Sequence, residues 1–273
     1  MKCPGIRGSH IDWFLRCPLY YKFACHDRVV PDIMVPPWAV TGWVIHKTLE
    51  VAIEQEIPAK KAFLLCCQKE KEIVREEVAQ SWPDYPLADE EIPPMSGKNM
   101  LRAQQMLANF ERMRPKLFEP GDKVKLETPF KVCLDEEHDV WYWGRIDVLI
   151  FKRSTGMIDN LDYKSTKPGY EYAEVPPQLL RYCMGFSLQS GIPINRMRSI
   201  LFNLESGNMP TRAWTSKEAN AMIDEVVDVV LQIREMPPEK APGRVGSHCK
   251  LLCQYHPSCP AYAEAIATGK KLT

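Results

Sequence analysis

The 273-residue sequence has no net charge: 35 Lys and Arg balance 35 Asp and Glu. That balance argues against a uniformly basic coat for nucleic acid. A local basic groove beside an acidic site would sum to the same zero. No run of 18 apolar residues occurs, so no membrane-spanning helix is expected. The first ten residues lack the apolar core of a signal peptide. Repeats and low-complexity tracts are absent. So is Gly-x-x-x-x-Gly-Lys-Ser/Thr, and any nucleotide-driven unwinding is expected to reside in another protein. What is present is ordinary for a globular chain, 45% hydrophobic and 26% charged. Such a chain buries a core without disulfide staples. Ten cysteines without a secretory leader point to a reducing compartment, the cytoplasm, where thiols are free or hold metal.

The 23 prolines punctuate segments, as at Pro36-Pro37, Pro93-Pro94, Pro176-Pro177 and Pro237-Pro238. Ser9 is placed to cap a first helix, and Pro18 to kink it or start a new turn. A second helix is expected over 38–55, with Val40, Trp43, Val44, Leu49 and Ile53 as its buried stripe and His46 near it. Helices are expected over 59–80 and 96–118. The pattern then changes to period two: Val124, Leu126, Thr128 and Phe130 alternate with polar residues, and further strands are expected over 140–151 and 157–163. A helix from Pro176-Pro177 to Ser190, a strand over 198–202 and a helix capped by Ser216 complete the order. These elements predict one α/β domain with a mixed sheet flanked by helices. Residues 1–120 are a helical elaboration, 121–240 the sheet and its helices, and 241–273 a cysteine-rich tail.

Three short pieces carry the chemistry: Gly144-Arg145-Ile146-Asp147, Leu161-Asp162-Tyr163-Lys164 and Gln178-x-x-x-Tyr182. Asp162 and Lys164, at i and i+2 of a strand, project from one face, and Asp147 can join them from a neighbouring strand. Two carboxylates hold a hard divalent cation such as Mg²⁺ or Mn²⁺, and an ammonium beside it steadies charge on a phosphate. Each piece alone has a plainer reading. Asp147 can pair with Arg145, Asp162 with Lys164 as a surface ion pair, and Gln178 and Tyr182 are simply one helical turn apart. Their order and close spacing favour a metal-dependent phosphodiesterase.

Together these pieces resemble the successive motifs of RecB-type nucleases of the PD-(D/E)XK superfamily. Asp162-Tyr163-Lys164 stands as the (D/E)XK element and Asp147 as its upstream Asp. Gly42-Trp43-Val44-Ile45-His46-Lys47-Thr48-Leu49-Glu50 resembles the family's upstream helix with its His. Glu127 resembles the Glu that opens the family's sheet. The resemblance runs from about residue 9 to 262. It implies His46, Asp147, Asp162 and the carbonyl of Tyr163 as ligands of Mg²⁺ or Mn²⁺, and Lys164 as the group that orients water and steadies the developing charge. Gln178 and Tyr182 fall to the substrate backbone or catalytic shell. Glu127 supports Lys164, touches a second metal or closes the sheet. Asp159 lies on the opposite strand face and is set aside. The activity implied is an exonuclease on DNA single strands or ends. The alternative is a DNA-binding or assembly subunit of a recombination or CRISPR-adaptation complex, and an oligomer is possible. The implied setting is a bacterial, archaeal or phage-infected cell.

The tail holds Cys249, Cys253 and Cys259, one thiol short of a tetrahedral site, and Cys17 is a candidate fourth. Some members of this nuclease group hold a [4Fe–4S] cluster on one early and three late cysteines, and the resemblance extends to that set. The spacing of three residues between Cys249 and Cys253 is one wider than the family's. It leaves room for zinc with His248 or His256 as substitute ligands. Cys3, Cys25, Cys66, Cys67, Cys133 and Cys183 read as core or incidental thiols. Candidate DNA-facing cations are Lys98, Arg102, Arg112, Arg114, Lys116, Lys167, Arg181, Arg196 and Arg198. Arg181, beside Gln178 and Tyr182, is the foremost for a phosphate. Trp141 and Trp143 share a strand face and suit sheet packing first and base stacking second.

Overall fold

The computed structural model describes residues 5–165 and 173–269, and the side chains of residues 251 and 252 are outside the description. Cys3 and Lys167 therefore lie outside the described residues. A short strand, β1 (Gly5–Arg7), runs directly into α1 (Gly8–Arg16). Ser9 lies inside that helix, and Arg7, not Ser9, takes the cap position. The pairing of β1 with the sheet fixes where the helix begins. Pro18 opens a new short helix, α2 (Pro18–Tyr21).

Four longer helices follow: α3 (Pro37–Glu54), α4 (Ala59–Gln68), α5 (Glu70–Ser81) and α6 (Gly97–Leu117). The single helix expected over 59–80 is thus two, broken at Lys69, which leaves helical geometry. The break lets α4 pack on both α3 and α6 while α5 turns back onto α3. No described helix is long and apolar enough to cross a membrane.

The sheet is built from β1, β2 (Lys123–Asp135), β3 (Val140–Phe151), β4 (Ile158–Lys164), β5 (Met197–Asn203) and β6 (Thr211–Ala213). α7 (Pro177–Ser190) crosses from β4 to the parallel β5. α8 (Ser216–Glu235), α9 (Ser247–Leu252) and α10 (Pro260–Ala267) follow. The α8 cap is Thr215, one residue before the expected Ser216. Its hydroxyl accepts from the Glu218 N–H while the Glu218 carboxylate accepts from the Thr215 N–H, a reciprocal capping box.

β3 is the spine of this mixed sheet. β2 runs antiparallel along its whole length on one edge. The other edge is shared: β1 lies parallel to Trp141, Tyr142 and Trp143, and β4 antiparallel to Val148 through Phe151. Among the described residues no strand covers that edge from Gly144 to Asp147.

Two cores lie on the two faces. One gathers Ile11, Phe14, Leu179, Met184, Val226 and Val230 from α1, α7 and α8. The other gathers Val44, Leu49, Phe63, Val74, Met106 and Phe110 from α3 to α6. Side chains of a strand alternate between faces with a period of two. β3 breaks this rule: Tyr142 and Ile146 enter the first core, whereas Val148 and Ile150 enter the second. β2 changes in step, with Phe130 and Val132 in the first core and Val124 and Leu126 against the second. Both strands change face where Glu127 stands opposite Asp147. Between Lys123–Phe151 and Cys133–Trp141, that is the position where the ladder pair is missing. Glu127 has φ +46°, in the left-handed region that a non-glycine residue enters at a cost of about 1–3 kcal/mol. Nearby, the Phe130 ring lies over Gly144 and Gly185. A Cβ on either would come within 2.6 Å or 2.3 Å of it, so the glycine of the Gly144–Asp147 motif is there for packing.

Candidate active site

The change of face carries Asp147 to the uncovered edge of β3, where three other elements meet it. His46 arrives from α3, its Nδ1 3.4 Å from Asp147 Oδ2 and its Nε2 3.1 Å from the Tyr163 carbonyl oxygen. From β4, Lys164 Nζ lies 2.8 Å from Asp162 Oδ2 and donates to Oδ1 at 3.1 Å. From α7, Gln178 donates to the Tyr182 hydroxyl at 2.8 Å. The parity of β4 sends Leu161 and Tyr163 into the helical core, so Asp162 and Lys164 face the α7 side. Asp159, three residues earlier, is buried and pairs with Arg198 at 2.6 Å.

The charges are strongly coupled. Burial pushes the Asp147 carboxyl up, but the hydrogen bond and charge of His46, with Lys164 and Arg145, outweigh it and hold the pKa below the ordinary value. At Asp162 burial wins over Lys164, and the nearby Asp147 adds to it, so its pKa is raised. Burial works against the charged forms of His46 and Lys164. Asp147 reverses it for His46 and Asp162 for Lys164, and both pKa values are raised.

Beside His46 and Asp147 opens a cavity of about 700 Å³, lined among others by Trp43, Glu50, Glu77, Gln80, Glu127 and Arg145. Arg145 bridges to Glu127 at 2.5 Å and donates to Gln80 at 2.9 Å, and Lys47 pairs with Glu50 at 2.9 Å. Burial, followed by the neighbouring Asp147, pushes the Glu127 carboxyl up to about 7 against the pull of Arg145. Glu77, half-buried on α5, is raised by the same desolvation.

The donor set suits a hard divalent cation: one imidazole, two carboxylates and one carbonyl. His46 Nε2 and the Tyr163 carbonyl oxygen lie 3.1 Å apart, so both could turn to one ion. Asp162 Oδ2 is buried and lacks an aligned hydrogen-bond donor, which leaves a lone pair for such an ion. Without one, Asp162 rests on Lys164. Among the described residues no three His, Cys, Asp or Glu groups stand in ligating geometry.

The cations expected to contact DNA are mostly engaged elsewhere. Arg181 is corrected outright: it is buried, ion-pairs with Asp12 of α1, and so ties α1 to α7 rather than facing a groove. Arg102 pairs with Glu205, Arg114 holds the carbonyls of Ala52 and Ile57, and Arg196 holds that of Gly156. The cations lining the cavities beside Asp147 are Arg7, Lys47, Lys131 and Arg145. Glu76, Glu77 and Gln80 on α5 were also missed. Their spacing of three and four residues was the available signal, and it reads equally as a solvated helix face.

The four cysteines gather at a separate cavity bordered by Trp38, near the start of α3. Cys17, Cys249, Cys253 and Cys259 line one cavity of about 230 Å³ together with His248 and His256. None is in a disulfide. The Arg244 N–H donates to Cys17 Sγ at 3.4 Å, and Cys249 Sγ lies 3.6 Å from His248 Nε2. Burial raises the Cys249 thiol and pushes Cys253 up to about 11, and the other cysteines raise both further.

A buried Asp162 with an ammonium held against it, and a part-buried Asp147 with an imidazole beside an uncovered strand edge, define the class: a metal-dependent nuclease. The family model of the PD-(D/E)XK nuclease superfamily matches residues 8–260, and the chain belongs to that superfamily. Its members typically use Mg²⁺ or Mn²⁺. No curated protein matches. A solved structure titled "Crystal structure of SSO0001" is similar at 10% identity and TM-score 0.39, over 96% of this chain and 88% of that one.

Proposed function

We propose that this protein is an exonuclease acting on single strands or ends of DNA, with Mg²⁺ or Mn²⁺ held by His46, Asp147, Asp162 and the Tyr163 carbonyl. The observation that carries the reading is the meeting of those groups with Lys164 at the strand edge left open between β1 and β4. A bound cation there supplies Lewis acidity to a phosphate oxygen and lowers the pKa of its water. The chain's own groups do the rest. Lys164 stays an ammonium because Asp162 stabilises it, and it donates to the attacking water or to the phosphate oxygens as charge builds. Asp147 stays ionised and holds the His46 ring in place. The Tyr182 hydroxyl, steadied by Gln178, is a donor at the α7 wall. Arg145 and Lys131 offer phosphate contacts along the edge, in the role first given to Arg181.

Cys17, Cys249, Cys253 and Cys259 are read as the ligands of a [4Fe–4S] cluster, supported by their sharing one cavity free of disulfides. Such a cross-link ties residue 17 to residues 249–259 and closes nearly the whole chain. Zinc with His248 or His256 is the alternative at this cavity, because both imidazoles line it. Metal analysis of anaerobically purified protein separates the two. A brown protein with about four irons per chain supports the cluster. A colourless one with a single zinc replaces it.

A further inference from the structure

We propose that the aromatic cavity beside the catalytic site receives one unstacked nucleobase of the strand whose phosphate lies at Asp147 and Asp162. The proposal deepens the nuclease reading and rests on it. Four of the seven tryptophans converge on a single cavity of about 400 Å³. Trp13 comes from α1, Trp43 from α3, Trp82 from the end of α5 and Trp143 from β3. All four rings are only part-buried, although Trp43 and Trp82 brace against the helical core on one side. Aromatic faces fixed from behind and open in front are what a sequence-tolerant base platform needs.

The cavity shares wall residues with the chemistry. Trp43 also lines the cavity of His46 and Asp147 and stands one helical turn before His46. Trp143 and Arg7 also line the groove along the uncovered edge that holds Arg145 and Asp147. Gln80 borders all three spaces. A strand with its phosphate at the metal ligands would therefore have a neighbouring base within reach of the tryptophans.

The charge also fits a polyanion. Arg7 and Arg28 are exposed at the rim, and the Arg28 guanidinium lies 5.0 Å from the centre of the Trp82 ring. Burial, together with those two arginines, holds His10 at a pKa of about 4, so its imidazole is a neutral hydrogen-bonding group at neutral pH. Trp13 packs edge-on to Tyr20 at 5.3 Å, and Tyr20 on Tyr255 at 5.2 Å, which stiffens the wall. Glu77 is the carboxyl on this wall, and it borders the metal cavity as well.

The test is a binding scan with Ca²⁺ in place of Mg²⁺, so that affinity is read without relying on cleavage. Single-stranded oligonucleotides, each carrying one abasic position, are titrated by fluorescence anisotropy against the wild type, Trp43→Leu and Trp143→Leu. One or two adjacent abasic positions should weaken wild-type binding about tenfold or more. That position-specific loss should vanish in at least one leucine variant and return in Trp143→Phe. If the leucine variants fold poorly, Arg7→Gln at the exposed rim serves, and the same positions should then weaken together with it. Tight binding with a flat scan overturns the proposal. So does a position-specific loss that is undiminished in both leucine variants. DNA degradation under Mg²⁺ with a flat scan keeps the nuclease and removes the base site. A position-specific scan without degradation does the reverse, and no binding to DNA of any form removes both.

Discussion

The acid cluster and the cysteine cluster are built on opposite plans. In the acid cluster each side chain is placed by a long element and already has a partner in the protein. Lys164 rests on Asp162, His46 on Asp147, and Arg145 on Glu127. In the cysteine cluster, four thiols arrive from an early turn and a late tail with short helices, and burial raises the pKa of Cys249 and Cys253. The first site is organised by the fold before any ion binds. The second, read as the proposed metal site, would need deprotonation and a metal before its ligands form a unit, so binding there would be coupled to folding. Losing the metal should therefore silence the first site and loosen the second.

The largest expected effect breaks the comparison at the acid cluster. Lys164→Ala or Asp162→Ala should reduce DNA degradation by about 10²–10³-fold or more, with a thermal midpoint close to wild type. A variant that unfolds instead would mean that the cluster holds the fold together. Next comes the cysteine cluster. If the proposed metal is there, Cys253→Ser should lose it and drop the thermal midpoint by several degrees, roughly 2–4 kcal/mol for a cross-link of this kind. The chemical step measured below that midpoint should stay within about threefold of wild type, because no thiol lines the acid cavity. An equal collapse of activity at low temperature would erase the distinction between the sites.

A third prediction concerns the residue the sequence misassigned. Asp12→Ala leaves the Arg181 guanidinium buried and unpaired, and should cost about 3 kcal/mol in urea unfolding. Arg181→Met should cost less, because it removes the buried charge and leaves only the part-exposed Asp12 carboxylate, which reaches water. DNA affinity in Ca²⁺ should change little in Arg181→Met and fall in Arg145→Gln. The reverse pattern would return Arg181 to the substrate. The smallest effect tests the kink that presents Asp147. Glu127→Gly relieves the left-handed backbone at φ +46° and should stabilise the protein by about 0.5–1 kcal/mol, measured by urea midpoint. Destabilisation by Glu127→Gly would show that the Arg145 ion pair outweighs the strain.

The residues that meet at the candidate site were legible because their signals are local. Asp162 and Lys164 at i and i+2, Gln178 and Tyr182 at i and i+4, and His46 on an amphipathic helix all declare their direction from spacing alone. The mixed sheet flanked by helices followed from the change of hydrophobic period near Val124. What was illegible depends on partners far along the chain. The three-residue β1 has too few residues to show a period, yet its pairing with β3 moves the α1 cap from Ser9 to Arg7. The break at Lys69 is set by packing on α3, not by a breaker residue. Glu127 looks like any strand residue, but its left-handed backbone turns Asp147 to the open edge. Cations do not reveal their partners in sequence: Arg181 meets Asp12, 169 residues away, while Arg145 was passed over as a neighbour of Asp147.

The central claim is that Asp147, Asp162 and Lys164 form a divalent-metal phosphodiesterase. Degradation of end-labelled single-stranded DNA by purified protein, with Mg²⁺ or Mn²⁺ against EDTA and with Lys164→Ala alongside, tests it most directly. The account predicts product with either ion, none in EDTA, and at least about a hundredfold less with Lys164→Ala. Product that persists undiminished in the Lys164→Ala protein, or no product from any DNA form with either ion, would contradict it.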